Sequence, residues 1–360
     1  MSRLYLDWNA SAPLRPEARA AMAAAMDLTG NASSVHAEGR AVRGMIERAR
    51  AQVAAAFGAE GADIVFTSGA TEAAALACAG RGLHCAGIEH DAVAAWCVAD
   101  LPVDGAGRVT VADPGRAALQ MANSETGVVQ DLPAGLAVSD MTQAFGKLPV
   151  AFNWAGCNMA LASAHKLGGP AGVGALILRQ GLDVAARIRG GGQEMGRRAG
   201  TENLIGIAGF GAAAEAAARD LADGLWQGVA EVRNILEQAL EALCPGIICL
   251  GKGAERLPNT LCLLTPGWKG ETQVMAMDLA GYAVSAGSAC SSGKVAVSRV
   301  LLAMGRDTQA AGSALRVSLG PGVTRDQALR FAETFGAARK KALARMGPHP
   351  ARGMTQPATA

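Results

Sequence analysis

Short apolar segments alternate with helix-forming segments along most of this chain, and this alternation restricts the folds available to it. The apolar segments that suit buried strands are ADIVFTSG, GRVTVAD, ALQMAN, LAVSD and GVGALIL. Strong helix formers dominate residues 15–27, 36–57 and 206–243, and a shorter helix is predicted over TEAAALACAGRG. Strands that are followed by helices favour a parallel sheet covered by helices. The sequence therefore predicts an α/β fold with a mostly parallel sheet.

The pattern changes near Pro245. The segments GIICLGKG, NTLCLLTPG, YAVSAGS and ALRVSLG then predict the strands of a smaller α+β unit. We expect a large domain over residues 15–245 and a small domain formed by residues 1–14 and 246–346. A disordered tail is expected over residues 347–360.

Composition and charge exclude several classes of function. The formal net charge of +2, with both signs interspersed, leaves no basic surface for nucleic acid. Apolar runs are shorter than the roughly 20 residues of a membrane span, and MSRLYLDWNASAP lacks the apolar core of a secretory signal. None of the eight cysteines forms a CxxC pair, so no metal site is predicted. Most lie in apolar segments as small core residues, which indicates a reduced, cytoplasmic protein.

The segment FTSGATE, residues 66–72, joins a predicted strand to a predicted helix. Ala70 and Thr71 would lie at the helix N-terminus, where free backbone N–H groups and the helix dipole bind phosphate. The Thr71 hydroxyl would add a further donor. The same residues also suit an ordinary strand-to-helix turn with a hydroxyl cap, so the segment alone leaves both interpretations open.

The segment SAHKLGGPAGVGALIL, residues 163–178, places a hydroxyl, an imidazole and an amine just before a glycine-rich loop. The amine of Lys166 could form a Schiff base with an aldehyde cofactor, and Ser163 and His165 could bind its phosphate. The glycines that follow would let the backbone approach a ligand closely. A solvated lysine on a surface loop is the simpler alternative, but it would not need this setting.

Two further segments carry side chains that suit acid–base chemistry. In SDMTQ, Asp140 is predicted at the carboxyl end of a strand, where open α/β sheets bind ligands, with Gln143 within reach. The Asp140 carboxylate could keep a pyridine nitrogen protonated, or it could simply cap a helix. In EHDAV, His90 could transfer protons near neutral pH or be a structural histidine.

The last two segments suit a nucleophile and an anion-binding cation. Cys290 lies in SAGSACSSGK, among small residues that would not bury it, and the nearby Lys294 would favour its nucleophilic thiolate. The alternative is a loop cysteine without a functional role. Arg316 lies in ALRVSLG, where its guanidinium could bind a carboxylate through two hydrogen bonds. The alternative for Arg316 is an edge-strand side chain that faces water.

Together these segments resemble the cysteine desulfurases of the NifS/IscS-like group, in the class-V aminotransferase branch of fold-type I pyridoxal-phosphate enzymes. The resemblance covers residues 4–335 and rests on nine segments in family order. They are YLDWNASAP, GNASSVHAEGR, FTSGATE, EHDAV, NSETG, SAHKLGGPAGVGAL, GGGQEMGRRAGTEN, GSACSSGK and LRVSLG. The resemblance implies a large domain with a mostly parallel seven-stranded sheet flanked by helices, a smaller α+β domain, and a homodimer.

The resemblance also implies which residues bind the cofactor, pyridoxal 5'-phosphate. Lys166 would hold it covalently, and His90 would stack on its ring. Thr201 would reach the phosphate of the neighbouring subunit. The other residues implied to bind the cofactor are Asp140, Gln143, Thr71, Ala70, Ser163, His165 and Ser124.

The implied reaction converts L-cysteine into L-alanine and leaves a persulfide on Cys290. The implied catalytic residues are Lys166, Cys290 and His90, and the implied substrate-binding residues are Arg316, Ser124 and Asn123. The persulfide sulfur would pass to an iron–sulfur scaffold protein or to another acceptor.

Three features depart from the family pattern. Ser124 replaces the second asparagine of the usual NNETG, and DWNASAP replaces the commoner D-x-x-A-T-T-P. The segment between His90 and Asp140 is also shorter than usual, which predicts that helices or strands beside the cofactor are trimmed. Because the residues that carry the chemistry remain, we expect an active enzyme.

Two alternatives stay open at this point. The first is a selenocysteine lyase, or another lyase or aminotransferase of the same branch, which would not depend on Cys290 as a desulfurase does. The second is a non-catalytic homologue that acts as a binding partner, which would bind no cofactor.

Overall fold

The computed structural model describes residues 3–287 and 297–346 of the chain. Its strands are β1 (Leu4–Tyr5), β2 (Asp63–Thr67), β3 (His84–Ala86), β4 (Val98–Leu101), β5 (Ala118–Gln120), β6 (Leu136–Asp140), β7 (Cys157–Ser163), β8 (Gly174–Leu178), β9 (Ile248–Cys249), β10 (Thr260–Leu264), β11 (Tyr282–Ala283), β12 (Ser285–Ala286) and β13 (Ala314–Ser318). Its α-helices are α1 (Pro16–Met26), α2 (Ala37–Ala56), α3 (Ala70–Cys78), α4 (Asp91–Ala94), α5 (Leu204–Ala222), α6 (Leu225–Leu243), α7 (Gly270–Leu279), α8 (Arg299–Ala303), α9 (Thr308–Ala311) and α10 (Arg325–Met346).

Seven strands form the larger sheet, in the order β4-β3-β5-β6-β7-β8-β2. Five of them, from β5 to β2, are continuously hydrogen-bonded, and the parallel pair β3-β4 joins β5 through one parallel bridge between His84 and Ala117. β8 is antiparallel to both of its neighbours, and the other six strands share one direction. The prediction of a mostly parallel seven-stranded sheet is confirmed.

Helices cover both faces of this sheet. α1, α2 and α5 pack together on one face, where Ile46 and Phe210 meet sheet residues such as Phe66. α3 and α4 pack on the other face, against Val138 and Met159. α1, α2, α3 and α5 lie at or near the positions where the sequence predicts helix, whereas the short helix α4 was not predicted.

The predicted alternation of strands with helices is wrong for residues 95–203, all of which the structure describes. The strands β4 to β8 are connected there by turns and short 3-10 segments, with no α-helix. GRVTVAD forms no strand, because its only pairing is one bridge between Val103 and Val109. The connection PVDGAGRVTVADPGR is rich in Pro, Gly and Asp, which interrupt regular structure. Its apolar side chains Val109 and Val111 pack against the main core instead.

A second, antiparallel sheet has the order β12-β13-β10-β9, and β1 pairs with β11 beside it. The strands predicted after Pro245 are therefore confirmed. Their core contains Leu261, Val317 and Phe331, together with Trp226 from α6. The domain boundary at residue 245 stays a prediction, and α6 lies before it although it packs in this second core.

The described cysteines are free thiols, and five of the seven are buried. These five confirm the predicted core role, and they are Cys78, Cys85, Cys157, Cys244 and Cys262. Within residues 3–287 and 297–346, no helix combines the length and the apolar character that crossing a membrane would require.

Candidate active site

A cavity of about 340 Å³ lies at the edge of the larger sheet where β5, β6 and β7 end and α3 begins. Because these strands share one direction, their carboxyl ends meet at one edge, the usual ligand site of open α/β sheets. Nine of the residues predicted to form the site line this cavity. They are Ala70, Thr71, His90, Ser124, Asp140, Gln143, Ser163, His165 and Lys166.

One end of the cavity is the N-terminus of α3, a nine-residue helix whose N-cap is Gly69. Ser68 and Thr71 are exposed there, so a ligand can reach the first-turn N–H groups from solvent. The capping interpretation is not supported, since no side chain caps α3. This end of the cavity has the backbone donors that bind a phosphate group.

Gly174 explains how β8 can pass so close to this turn. A Cβ at residue 174 would lie 2.5 Å from the Ala162 oxygen and 2.7 Å from Cα of Gly69. Distances this short are prohibitive for any side chain, so glycine is required by close backbone approach. The close approach at this position is between backbone segments, and the predicted approach of these glycines to a ligand stays a prediction.

Glu72, in the first turn of α3, would repel an anion if its charge were unbalanced. Its carboxylate accepts hydrogen bonds from Arg198 at 2.9 Å and from the Ser68 N–H at 2.7 Å. Burial opposes its ionisation, but these hydrogen bonds outweigh burial and hold the pKa of Glu72 below its ordinary value. Arg198 therefore balances the acidic charge next to the proposed phosphate position.

Lys166 follows β7 on a 3-10 turn, Ala164–Lys166, which points its amine into the cavity region. The Nζ donates to the carbonyl oxygens of Asn9 at 2.6 Å and Ala10 at 2.8 Å. The surface-lysine alternative is thereby excluded, because the amine is half-buried and bonded to the N-terminal segment.

His165, next to Lys166, is half-buried with Nδ1 3.2 Å from the Ser11 hydroxyl oxygen. Burial first, and then the positive charges of Lys166 and Lys147, lower the pKa of His165 to about 4. The imidazole is therefore neutral near pH 7 and can offer an N–H donor, but not a positive charge, to a ligand.

Asp140 ends β6 and lies opposite Gln120 of β5 in the parallel ladder. One carboxylate oxygen of Asp140 accepts from the Thr142 N–H at 2.9 Å, which fixes the turn after the strand. No α-helix follows, so the helix-cap interpretation is wrong. The Thr142 N–H therefore holds the Asp140 carboxylate in place at the cavity wall.

His90 is the N-cap residue of α4, and its Nδ1 accepts from the Ala92 N–H at 3.1 Å. A backbone N–H can only donate, so the neutral ring must carry its hydrogen on Nε2. His90 thus has a fixed orientation, with both a structural contact and a place in the cavity wall.

The NSETG segment separates the roles predicted for its first two residues. Ser124 lines the cavity, but Asn123 does not. Asn123 is 1% exposed, and its Oδ1 accepts from the backbone N–H groups of Glu125 and Thr126. The structure therefore gives Asn123 a role in the turn itself, and its contact with substrate stays a prediction.

Arg316 lies on β13 between β10 and β12 and is 1% exposed, so the edge-strand alternative is wrong. Its guanidinium donates to the Ser124 carbonyl at 3.1 Å and to Asp7 at 2.8 Å. It therefore lies one residue away from the cavity wall, and its grip on a substrate carboxylate stays a prediction.

Two predicted residues lie away from this cavity or outside the description. Thr201 is exposed and is not part of the cavity wall, so its contact with a neighbouring subunit stays a prediction. Cys290 falls between residues 287 and 297, outside the described residues.

Sequence reasoning missed four polar residues that shape the site. Gln120 and Thr142 line the cavity, and Asn9 and Lys147 bond to residues that line it. The spacing of Gln143 and Lys147 was a usable signal, since side chains four residues apart can meet on one turn of chain.

Comparison with known proteins gives a family match and several similar sequences. The family model described as aminotransferase class-V matches residues 4–94 and 112–331. A cysteine desulfurase from Cereibacter sphaeroides is 40% identical over 93% of this chain and 95% of its own length. The cysteine desulfurase IscS of Dictyoglomus turgidum is 34% identical over 90% of this chain and 91% of its own length.

A solved structure has a similar fold. The NifS-like protein from Rickettsia africae ESF-5 superposes with a TM-score of 0.83 at 29% identity, over 95% of this chain and 99% of that one. Residues 95–111, which the family model leaves unmatched, contain β4 and the first part of the helix-free connection from β4 to β5.

Proposed function

The chain belongs to the class-V aminotransferases and, within them, to the cysteine desulfurases, and from that premise we propose that it removes sulfur from L-cysteine. In the proposed reaction the C–S bond of L-cysteine breaks and an S–S bond forms on Cys290. One L-alanine and one enzyme persulfide result, so atoms and electrons balance without an added oxidant. The observation that carries the proposal is one cavity lined by Lys166, Asp140 and the N-terminus of α3.

The cavity fits pyridoxal 5'-phosphate by the chemistry of its donors. A phosphate needs N–H donors, which the N-terminus of α3 supplies at one end of the cavity. The aldehyde group needs an amine in the same cavity, and Lys166 has one. The pyridine nitrogen needs a carboxylate, and Asp140 has one. The cavity volume of about 340 Å³ lies within the range of small-molecule sites.

When bound, this cofactor supplies an electron-withdrawing ring that labilises bonds at the Cα of an attached amino acid. Lys166 would hold the cofactor and later carry a proton at its freed amine. Asp140, fixed by the Thr142 N–H, would keep the ring nitrogen protonated. His90, whose Nδ1 is occupied by α4, would present its ring to the cofactor face.

The sulfur step would belong to Cys290 and Arg316. The Cys290 thiolate would attack the substrate sulfur, and Arg316 would orient the substrate carboxylate. Arg316 is already fixed by Asp7 and by the Ser124 carbonyl, so it needs little further ordering. Ser124, which is shorter than the usual asparagine, would give this enzyme a looser contact with the cofactor and substrate.

We also propose the setting in which the enzyme acts. A homodimer would bring Thr201 of one subunit to the phosphate of the other. The sulfur would pass to an iron–sulfur scaffold protein or to another acceptor protein. The free thiols of the described cysteines support a reducing compartment such as the cytoplasm.

The test is to incubate the protein with L-cysteine and pyridoxal 5'-phosphate and to measure alanine, sulfide and a persulfide on the Cys290 peptide. We expect one alanine per sulfur released, and we expect Cys290→Ala to abolish sulfide release. Cys249→Ala, at a half-buried cysteine of the second sheet, is the matched control and should retain activity.

Two outcomes would contradict the proposal. Transamination that survives Cys290→Ala would point to an aminotransferase or to another lyase. A colourless protein that gains no absorbance with added cofactor would point to a non-catalytic homologue.

A further inference from the structure

Lys147 is a buried lysine that no step of the proposed reaction uses. It is 2% exposed and does not line the cavity. Its Nζ lies 2.7 Å from Oε1 of Gln143 and 3.0 Å from Oδ1 of Asn9. Lys147 is therefore one side chain away from the cavity and is bonded to a residue of its wall.

The buried position of Lys147 lowers the stability of the fold. Among the residues that the structure describes, no carboxylate lies within ion-pairing distance of its amine, and its charged neighbours Lys166 and Arg316 are cations. Burial first, and then these two charges, hold the pKa of Lys147 well below its ordinary value. An uncompensated buried amine costs stability, so a gain in stability does not explain the residue.

The two hydrogen bonds of Lys147 explain better why a lysine is buried at this position. An amine has at least two N–H groups in either protonation state, which suffice for both bonds. The Gln143 oxygen therefore faces Lys147, and the Gln143 nitrogen donates to the Asn9 carbonyl at 3.0 Å. A flipped amide would bring two oxygens, those of Gln143 and Asn9, into contact. The second N–H of the Gln143 nitrogen remains for a ligand in the cavity.

Lys147 also fixes Asn9, which links three parts of the site. The Asn9 carbonyl accepts from both Gln143 and Lys166, and the Asn9 side chain bonds to Thr260 of β10. Lys147 thus bonds the side chain of the residue whose backbone carbonyl accepts from the Lys166 amine. Both of its contacts act on groups that face the cavity.

We propose that Lys147 is a positioning residue that locks the Gln143 amide with its nitrogen toward the cavity, as a donor to an anionic oxygen on the ring of the bound cofactor. This inference rests on the proposed function, because it needs a cofactor with such an oxygen. It assigns Lys147 no contact with the substrate or the reacting atoms.

The experiment measures the dissociation constant of pyridoxal 5'-phosphate and the absorption maximum of the bound cofactor for wild type and Lys147→Met. Met keeps an unbranched apolar stem but has no donor. We expect roughly tenfold weaker binding, equal to about 1.4 kcal/mol, and a shifted absorption maximum. We expect the cofactor-free variant to melt at the same temperature as wild type or higher.

A double-mutant cycle tests the route through Gln143. In a Gln143→Met background, adding Lys147→Met should change the dissociation constant by less than about twofold, because the amide that Lys147 orients is gone. Arg233→Met is the matched control. Arg233 is another buried cation, on α6 and bonded to the Leu257 carbonyl, so its loss should leave cofactor binding unchanged.

The outcomes separate this inference from the proposed function. Wild type that binds the cofactor, with Lys147→Met unchanged in affinity and spectrum, overturns the inference and leaves the function standing. A lower melting temperature with unchanged affinity would assign Lys147 a purely structural role. Wild type that binds no cofactor overturns both. If Lys147→Met does not fold, Lys147→Gln, which restores one donor, should recover at least part of the affinity.

Discussion

Two regions of the larger sheet differ in how well they match the family model. One is the sheet edge that forms the cavity, and the other is the stretch from β4 toward β5. The ends of β2, β5, β6 and β7 bring their polar residues into one cavity, whereas residues 95–111 lie outside the family match. The alignment with the Cereibacter sphaeroides relative spans 374 positions although it covers 93% of this chain, so that relative has residues without counterparts here. The site therefore depends on where strands end, and not on how they are connected.

Strand pairing shows why the connections can be shortened. β5 and β6 keep a parallel register in which Gln120 lies opposite Asp140. That register is set by buried residues on both strands, and the connecting loop only has to cover the core. Val109 and Val111 provide that cover without a helix.

The strongest test of the cavity edge is Lys166→Ala. The variant loses both the covalent attachment and the amine that moves a proton, so we expect the desulfurase rate to fall by roughly 10²–10⁴-fold or more. Alanine formation from L-cysteine is the measurement. A variant that retains wild-type turnover would show that the catalytic amine lies elsewhere.

Gly174→Ala tests the packing of the same edge. The new Cβ would lie 2.5 Å from the Ala162 oxygen and 2.7 Å from Cα of Gly69, so β8 or the turn at Gly69 must move. Overpacking of this kind typically costs about 1–3 kcal/mol, and we expect weaker cofactor binding as well. Urea unfolding and cofactor titration would measure the two effects. Unchanged values for both would mean that the turn is not closely packed.

The lowered pKa of His165 predicts that the stability of the protein depends on pH. Its pKa is about 4 in the folded protein, below the ordinary value of 6.5, so between these values only the unfolded state binds the proton. The free energy of unfolding of the cofactor-free protein should therefore fall as pH drops from 6.5 to 4. His165→Gln should show a smaller fall in urea unfolding at pH 7 and pH 5.

The control for this pH test is Gly105→Ala, an exposed change that removes no titratable group and keeps His165 in place. It should show the same fall as wild type. An equal fall in wild type and His165→Gln would mean that another group accounts for the pH dependence.

Gly105→Ala tests the connection and should have the smallest effect. Gly105 is exposed, and a Cβ there meets no atom within 4 Å. We expect a change in the free energy of unfolding within about 0.5 kcal/mol and unchanged activity. A loss as large as that of Gly174→Ala would show that the connection is as constrained as the cavity edge.

Much of the site was predictable because each segment carries both its position and its chemistry. Asp140 ends a strand and Lys166 closely follows one, so their meeting at one edge follows from a parallel sheet. The sequence also indicated a trimmed segment between His90 and Asp140, and in the structure its residues 95–140 contain no α-helix.

The features that the sequence did not reveal depend on side-chain orientation and on tertiary contacts. Asn123 has the right position in NSETG, but its amide bonds to its own turn, which no pattern specifies. Val109 and Val111 have strand-like composition but no neighbouring strand to pair with. Lys147 was missed because only the folded structure brings Asn9, 138 residues away, to its amine.

The most direct test of the whole account is to reduce the cofactor-loaded enzyme with borohydride, digest it and locate the modified lysine by mass spectrometry. The account predicts one pyridoxyl adduct, on the peptide that contains Lys166, and none in Lys166→Ala. An adduct on Lys147, or no adduct at any lysine, would contradict it.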